Sequence, residues 1–261
     1  RGAGSEGETA LAGFPHHSLN TYLPKLVKSG HRVDICDQLE YPKLTKKIVK
    51  RGVTELVTPG VSLNDEVLQD KKNNFLAAVY FGKKNIGVSF LDISTGEFIT
   101  SQGDREYIDK LLQNFGPSEV LIQKNLKSAF LENFGSRFYT FPLEDWVFQK
   151  DASMEILLQH FKVISLKGFG IDDLAEGIVS AGAVMHYLSE TQHHKLEHIS
   201  GIQRLIEGDY VWMDRFTIRN LELYTSSASG AVTLLDVIDS TISPMGGRLL
   251  KRWPALPLKN I

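Results

Sequence analysis

The sequence is poor in several features that would announce a function directly. It has one cysteine, Cys36, so neither an intrachain disulfide nor a cysteine-based zinc site is expected. No apolar run approaches the ~20 residues that a membrane-spanning helix needs. The formal net charge is −2, so any contact with nucleic acid would need a local basic patch. The phosphate-binding pattern G-x-x-x-x-G-K-[ST] of P-loop ATPases is absent as well.

What is present is the ordinary composition of a globular protein, with 42% hydrophobic and 23% charged residues. A length of 261 residues favours two or three domains. The chain starts at Arg1 without a signal-peptide pattern and stops soon after the apolar residues Trp253, Leu256 and Leu258. We therefore expect it to be a piece of a longer protein.

The first unit, residues 1–60, has the pattern of a small and incomplete mixed α/β domain. Ser18 is placed to cap a helix of amphipathic spacing, and Gly30 is placed to end it. Alternating residues predict strands at His31–Cys36 and Val53–Val57. This domain should pack its helix against its strands.

The second unit, residues 61–195, predicts a mixed sheet with helices. Three strands in succession, a helix and a later strand are expected at Phe75–Phe81, Ile86–Leu91, Glu97–Ser101, Tyr107–Phe115 and Glu119–Ile122. Helices at Asp151–Phe161 and about Asp172–Glu190 follow, the second with one apolar stripe. This α/β order is similar to the ribonuclease H-like fold.

The third unit, residues 196–261, predicts mainly helices. One should cover Asp214–Tyr224, and another should start at Ser243-Pro244 and stop at Trp253, before Pro254. We expect Leu249, Leu250, Trp253 and Leu256 to lack full cover, so that they dock on the second unit, pair with another copy or stay mobile.

The acidic and histidine residues give two hypotheses for a metal site, one based on carboxylates and one on histidines. Asp92, with Glu119 nearby, could hold catalytic metals as in ribonuclease H-like nucleases, but the first strand of the meander carries no acid. The favoured interpretation is that Asp92 caps the Ser94-Thr95-Gly96 turn. A zinc site at His193, His194 and His198 lacks a further ligand, so a solvated helix end is the better interpretation.

The sequence contains two basic groups, of which the first could contact phosphates. Five cations lie between Lys43 and Arg51, although a solvated polar face is the commoner explanation of such runs. Arg248, Lys251 and Arg252 are spaced to share one face of the last predicted helix.

Several blocks in order resemble one family along nearly the whole chain, the MutS-type DNA mismatch-recognition proteins. The blocks are Leu11–Leu19 (LAGFPHHSL), Ile35–Leu39 (ICDQL), Val57–Gly60 (VTPG), Leu91–Gly96 (LDISTG) and Ser243–Trp253 (SPMGGRLLKRW). By this resemblance, residues 1–60 are the C-terminal part of a mismatch-recognition domain, 61–195 a connector domain and 196–261 the start of a helical core, or lever, domain.

The resemblance implies a non-catalytic part of a larger DNA clamp. Proteins of this family act as homodimers on mismatched double-stranded DNA, use ATP and Mg²⁺, and signal to MutL. They read the mismatch with a Phe-x-Glu motif that precedes the position of Arg1, and their ATPase follows the position of Ile261. Phe130-Leu131-Glu132 lies in the connector-like region, so it is expected to be a coincidence. We expect no catalytic residues, metal ligands or cofactor in this chain, and a cytoplasmic location.

The same resemblance gives candidate contact residues. Arg1, His16 and His17 would face the DNA backbone, together with Lys46 and Lys47 of the basic stretch. For MutL docking, the exposed side of the Asp151–Phe161 helix is the candidate surface, through Glu155 and Gln159.

Overall fold

The computed structural model describes residues 13–41, 48–61, 73–191, 196–213, 215–224, 226, 228 and 230–259. We call residues 13–61 the first segment, residues 73–205 the sheet unit and residues 206–259 the last segment. Among the described helices, none is long and apolar enough to cross a membrane.

The first segment is a helix packed on a two-stranded antiparallel sheet. Helix α1 (Leu19–Lys28) precedes strands β1 (Val33–Gln38) and β2 (Arg51–Val57). Leu23 and Val27 of the helix are buried with Val57 of β2, because these apolar residues recur on one side of α1. The predicted helix and both predicted strands are confirmed.

The sheet unit is built on six strands in the order β7-β6-β3-β4-β5-β8. They are β3 (Phe75–Phe81), β4 (Ile86–Asp92), β5 (Glu97–Gly103), β6 (Glu119–Gln123), β7 (Thr140–Leu143) and β8 (Gln203–Arg204). Strands β3, β4 and β5 form an antiparallel meander, whereas β6 pairs in parallel with β3 and β7 in parallel with β6. This is the strand arrangement of the ribonuclease H-like fold, as predicted.

Helices cover both faces of this sheet. Helices α2 (Arg105–Phe115) and α3 (Lys127–Phe134) pack on one face, and α4 (Lys150–Phe161) and α5 (Ala175–Thr191) lie on the other side. Strand β3 is apolar at every position because its side chains alternate between the two cores: Leu76 enters one and Ala77 the other.

Helix α5 is buried on nearly all sides rather than along the one predicted stripe. It contacts the sheet on one side and α4 on the other, so that only its ends reach solvent. Gly87 of β4 permits the close approach to the sheet, since a Cβ there would lie 2.0 Å from the carbonyl oxygen of Glu176. The helix begins at Ala175, a few residues after the predicted Asp172.

The sheet unit extends beyond the predicted boundary at residue 195. Ile199 and Ile202 are buried in the same core as α5, and β8 adds to the edge of the sheet beside β5. The division of the chain into domains at 60 and 195 otherwise stays a prediction.

The last segment contains α6 (Arg215–Asn220), α7 (Leu234–Ile238) and α8 (Pro244–Ala255). The predicted helix to Tyr224 is wrong at its end, because Glu222 adopts a positive φ of 49° that an α-helix cannot contain. Helix α8 begins as predicted, with the Ser243 hydroxyl accepting a hydrogen bond from the Gly246 amide. It continues through Pro254, and in this last turn the proline removes only one hydrogen bond.

Candidate functional site: the polar joint at one end of the sheet

Three carboxyl groups lie near one end of the central strands. Asp92 ends β4, Glu97 begins β5 and Glu119 begins β6, and the first residues of β3 run between them. In the ladder, Asp92 faces Glu97 on one side and Phe75 on the other, and Glu119 pairs with Leu76. We call these three residues, with Asn73 and Asn74, the sheet-end joint.

Glu119 connects the sheet to the first segment. Its side chain is fully buried, and its Oε2 accepts hydrogen bonds from the Thr58 hydroxyl at 2.5 Å and the Gly60 amide at 3.1 Å. Its Oε1 accepts one from the Tyr187 hydroxyl of α5 at 2.9 Å. Its two oxygens thus satisfy three donors from two parts of the chain.

Tyr187 and Arg32 extend this contact. Burial raises the pKa of the Tyr187 hydroxyl above its ordinary value, and the charge of Glu119 raises it further, so this hydroxyl remains a donor. The Arg32 guanidinium of the first segment lies 3.9 Å from the ring centroid of Phe141 in β7 and 5.5 Å from that of Tyr187. The first segment is therefore held by a buried polar group and by a cation–π contact.

Asp92 is held by residues on both sides of β4. Its Oδ1 accepts hydrogen bonds from the amide and hydroxyl of Ser94, at 3.0 and 2.6 Å, which confirms the predicted turn cap. Its Oδ2 accepts from the side chain of Asn73 at 2.8 Å and from the amide of Asn74 at 3.3 Å.

Asn74 connects this acid to the first segment. Its side chain donates to the carbonyl of Pro59 at 3.0 Å and accepts from the Ser118 hydroxyl at 2.6 Å. Ser118 directly precedes Glu119 in sequence, so Asn74 bridges the surroundings of Asp92 and those of Glu119.

Glu97 connects the sheet to the last segment. It forms an ion pair with Arg252 of α8 and also accepts a hydrogen bond from the Asn73 side chain at 3.3 Å. Within the last segment, the Val211 amide donates a hydrogen bond to the Pro257 carbonyl, and Leu256 is buried. A cavity of about 220 Å³ remains between the end of α2 and α8, so the packing there is incomplete. The hydrogen-bond network thus reaches from α8 to the turn at residues 58–60.

The apolar side chains of α8, which were expected to lack full cover, dock on the sheet unit in part. Leu256 is buried at the edge of that cavity, whereas Leu249 is 45% exposed and Trp253 61% exposed. The helix lies on the sheet unit with its far side uncovered.

The nuclease alternative is not supported by this geometry. Asp92 and Glu119 lie on opposite sides of β3, and the oxygens of both accept hydrogen bonds from neighbouring residues. A two-metal site needs several carboxylates that converge on the ions. Within the described residues, no group of three or more His, Cys, Asp or Glu side chains is arranged to hold a metal.

Of the three histidines in the zinc hypothesis, the structure describes one. His193 and His194 lie outside the described residues, while His198 is hydrogen-bonded through Nε2 to the carbonyl of Ile93 at 2.6 Å. This contact gives His198 a structural partner at the sheet.

The predicted DNA-contact residues are only partly described. Arg1, Lys46 and Lys47 lie outside the described residues. His16 and His17 lie in an exposed 3-10 turn that leads into α1, and their contact with DNA stays a prediction.

The predicted docking residues lie on an exposed surface. Glu155 and Gln159 point outward from α4 and border a shallow groove of about 550 Å³. Met154, Leu158 and Val163 line it, and the side chain of Ile164 beside it is 100% exposed. Docking there stays a prediction.

Sequence reasoning missed the role of Glu119, Tyr187 and Arg32. Their contacts join residues far apart in the chain, so no local spacing signals them. A polar residue at the start of an apolar strand, as in Glu119-Val120-Leu121-Ile122, is the only local sign that its carboxyl group is buried.

Comparison with known proteins gives one family for all three parts. Models of MutS domain I, MutS domain II and MutS domain III match residues 1–66, 74–200 and 216–261. The chain is 72% identical over 260 residues to the DNA mismatch repair protein MutS of Flavobacterium johnsoniae, 70% to that of Flavobacterium psychrophilum and 61% to that of Cytophaga hutchinsonii. Each match covers 100% of this chain and 30% of the relative, so the chain spans about a third of their length.

Among solved structures, a fowlpox virus resolvase with Holliday junction DNA matches with a TM-score of 0.30 and 14% identity, over 44% of this chain and 98% of that one. A likeness at that level supports no conclusion about function. The order of the three domain matches and the high identity to the relatives lead to one result: the chain belongs to the MutS family.

Proposed function

We propose that this chain is the coupling part of a DNA mismatch repair protein, which transmits strain between a DNA-contacting domain and a helical core. The observation that carries this proposal is the buried Glu119 carboxylate, which binds the domain I turn at Thr58 and Gly60 while it sits in a strand of domain II. The Glu97–Arg252 ion pair makes the corresponding connection to domain III. Neither contact contains the elements of a catalytic site.

The whole protein, in this proposal, binds mismatched double-stranded DNA as a homodimer in the cytoplasm. It would use ATP and Mg²⁺ in parts beyond this chain and would signal to MutL. Support comes from the family and from the printed name of the relatives, which are DNA mismatch repair proteins. The single cysteine, which is exposed, also fits a reducing compartment.

Buried polar networks suit such coupling because they have few alternative arrangements. Thr58, Gly60 and Tyr187 all need the same acceptor, so a shift of domain I against the sheet leaves buried donors without partners. The two parts should therefore move as one unit until the joint breaks.

Hydrogen–deuterium exchange of the chain with and without duplex DNA tests this. DNA should slow exchange in the first segment and also, through the joint, in α8. With Thr58→Val and Asn74→Ala combined the slowing should stay within residues 13–57, because both the hydroxyl that holds Glu119 and the amide that holds the Pro59 carbonyl are gone. Equal propagation in the two proteins would refute the coupling role of the joint.

For MutL, the groove beside α4 is the proposed docking surface. Apolar Met154, Leu158 and Ile164 lie among polar Glu155 and Gln159, as the apolar core and polar rim do in protein interfaces. Ile164→Asp should abolish binding of MutL by this chain. Lys150→Asp at the start of the same helix is the control, and equal loss in both variants would contradict this placement.

A further inference from the structure

Helix α8 turns its charged side inward. Arg248, Lys251 and Arg252 are each only partly exposed, whereas the apolar Leu249 and Trp253 are 45% and 61% exposed. The three cations recur at intervals of three and four, so they share one side of the helix. A surface helix ordinarily has the opposite arrangement, with its apolar side inward. The inward side of α8 is therefore suited to a negatively charged partner.

The three cations line the cavity of about 220 Å³ between α8 and the end of α2. None of the described residues around this cavity is an aspartate or a glutamate, and Glu97, which pairs with Arg252, lies outside its lining. Positive side chains in a concave wall attract anions. Several cations on one wall suit a phosphate monoester, with a charge of about −1.5 to −2 at neutral pH, better than a carboxylate.

Asn114 offers a hydrogen-bond donor on the α2 side of the same cavity. Its side-chain nitrogen, Nδ2, is buried, and among the described residues no atom accepts a hydrogen bond from it. A buried donor without an acceptor is unfavourable, and an oxygen of a bound ligand would remove that cost. A phosphate between α8 and Asn114 supplies both the negative charge and the acceptor.

Aromatic rings form the rest of the wall. Phe75 and Phe115 come from the sheet unit and Tyr224 from the last segment. Burial raises the pKa of Tyr224 to about 12, so its hydroxyl keeps its proton and donates to the Lys251 carbonyl at 2.5 Å. Aromatic walls favour a planar ring. Because drug-sized ligands need pockets of about 300–1,000 Å³, this smaller space suits a single ring.

We propose that this cavity binds a small phosphate ester that carries one planar ring, the chemistry of a pyrimidine mononucleotide. The phosphate lies between the cations of α8 and Asn114, and the ring lies against Phe115 and Tyr224. Because one wall belongs to the sheet unit and the other to the last segment, the ligand fastens α8 to the sheet. This site goes beyond the proposed coupling of domains and does not depend on it.

Isothermal titration calorimetry of the full chain with deoxycytidine monophosphate at low salt tests this. Deoxycytidine and inorganic phosphate, which each carry one half of the ligand, should bind at least about tenfold more weakly. Arg248→Gln with Lys251→Gln should weaken binding of the monophosphate about tenfold, since charged hydrogen bonds are lost. Lys83→Gln with Lys84→Gln is the matched control, because it removes the same charge from exposed residues just beyond the other end of β3.

Asn114→Leu separates binding from a structural role. The variant keeps a side chain of similar size but loses the buried donor. Binding of deoxycytidine monophosphate should fall about tenfold, because the hydrogen bond to a charged phosphate is gone. Without ligand, the melting temperature should stay the same or rise, since that donor has no partner among the described residues. A lower melting temperature together with unchanged binding would overturn the role of Asn114 in the site.

Hydrogen–deuterium exchange locates the ligand. Deoxycytidine monophosphate should slow amide exchange in α8 and at the end of α2, and slowing confined to other parts of the chain would overturn the site. The site is also overturned if the monophosphate does not bind, or if the control pair weakens binding as much as the α8 pair. Binding no tighter than that of inorganic phosphate would refute the ring. Circular dichroism of each variant shows whether the chain is still folded, so that lost binding can be assigned to the missing groups.

Discussion

Replacing Glu119 with alanine should strongly destabilise the contact between the first segment and the sheet. The substitution removes the acceptor of three buried hydrogen bonds, from the Thr58 hydroxyl, the Gly60 amide and the Tyr187 hydroxyl. A buried donor left without a partner costs roughly 1–3 kcal/mol. Because the site can relax and admit water, we expect a total loss of about 3–5 kcal/mol in the free energy of unfolding.

Glutamine at the same position should be milder. Its amide oxygen can still accept from Thr58 and Gly60, and its NH₂ group can donate to the oxygen of Tyr187 once that hydroxyl rotates. The loss should then be about 1–2 kcal/mol, which reflects the weaker hydrogen bonds of a neutral acceptor. The order wild type, Glu119→Gln, Glu119→Ala is thus the expected ranking of stability.

Urea unfolding followed by far-UV circular dichroism measures the total change. Amide exchange at Gly60 reports the joint itself, because that N–H donates to Glu119. Glu144→Ala is the control: its carboxyl group pairs with Lys124 at the surface, with both side chains 63% exposed, so its removal should change little. Unchanged stability in Glu119→Ala, or faster exchange at Gly60 in the control, would show that the buried carboxylate does not hold the two parts together.

Three further outcomes follow from the packing of a glycine, the burial of a tyrosine and the motifs of the first domain. Gly87→Ala should destabilise the chain by about 1–3 kcal/mol in thermal or urea unfolding, because the new methyl meets the α5 backbone, whereas Gly168→Ala should be nearly neutral since no atom lies within 4 Å of its added Cβ. Burial raises the pKa of Tyr107 to about 12, so the folded state keeps a proton that the unfolded state loses near pH 10. The contribution of Tyr107 to the free energy of unfolding should be complete below pH 10 and should disappear between pH 10 and 12. In Tyr107→Phe the free energy of unfolding should therefore fall less over that range. A fall identical to that of the unaltered chain would refute the assignment. Finally, the chain should bind mismatched and fully paired duplexes equally in a titration at fixed salt, because residues 1–66 contain no Phe-x-Glu motif; a clear mismatch preference would contradict this.

Much of the local structure could be predicted from the sequence, and the reason is periodicity. The first helix, the three-stranded meander and the start of α8 follow from apolar spacing and capping residues, which act over a few positions. Helix ends were less predictable. Helix α6 ends before Glu222, which has a positive φ, and α8 runs through Pro254, where the missing amide costs one hydrogen bond in the last turn.

The sequence by itself determined the family, the ribonuclease H-like order of strands and the turn-capping role of Asp92. Only the tertiary structure decided what the acids at the end of the sheet do. Glu119 and Thr58 are 61 positions apart, and Glu97 and Arg252 are farther still, so no spacing along the chain predicts their contact. Strand pairing brings Asp92, Glu97 and Glu119 to one end of the sheet. Burial then makes Asp92 and Glu119 dependent on donors from neighbouring parts, while the partly buried Glu97 pairs with Arg252. The arrangement that suggested metal chemistry is, in the folded chain, a joint between domains.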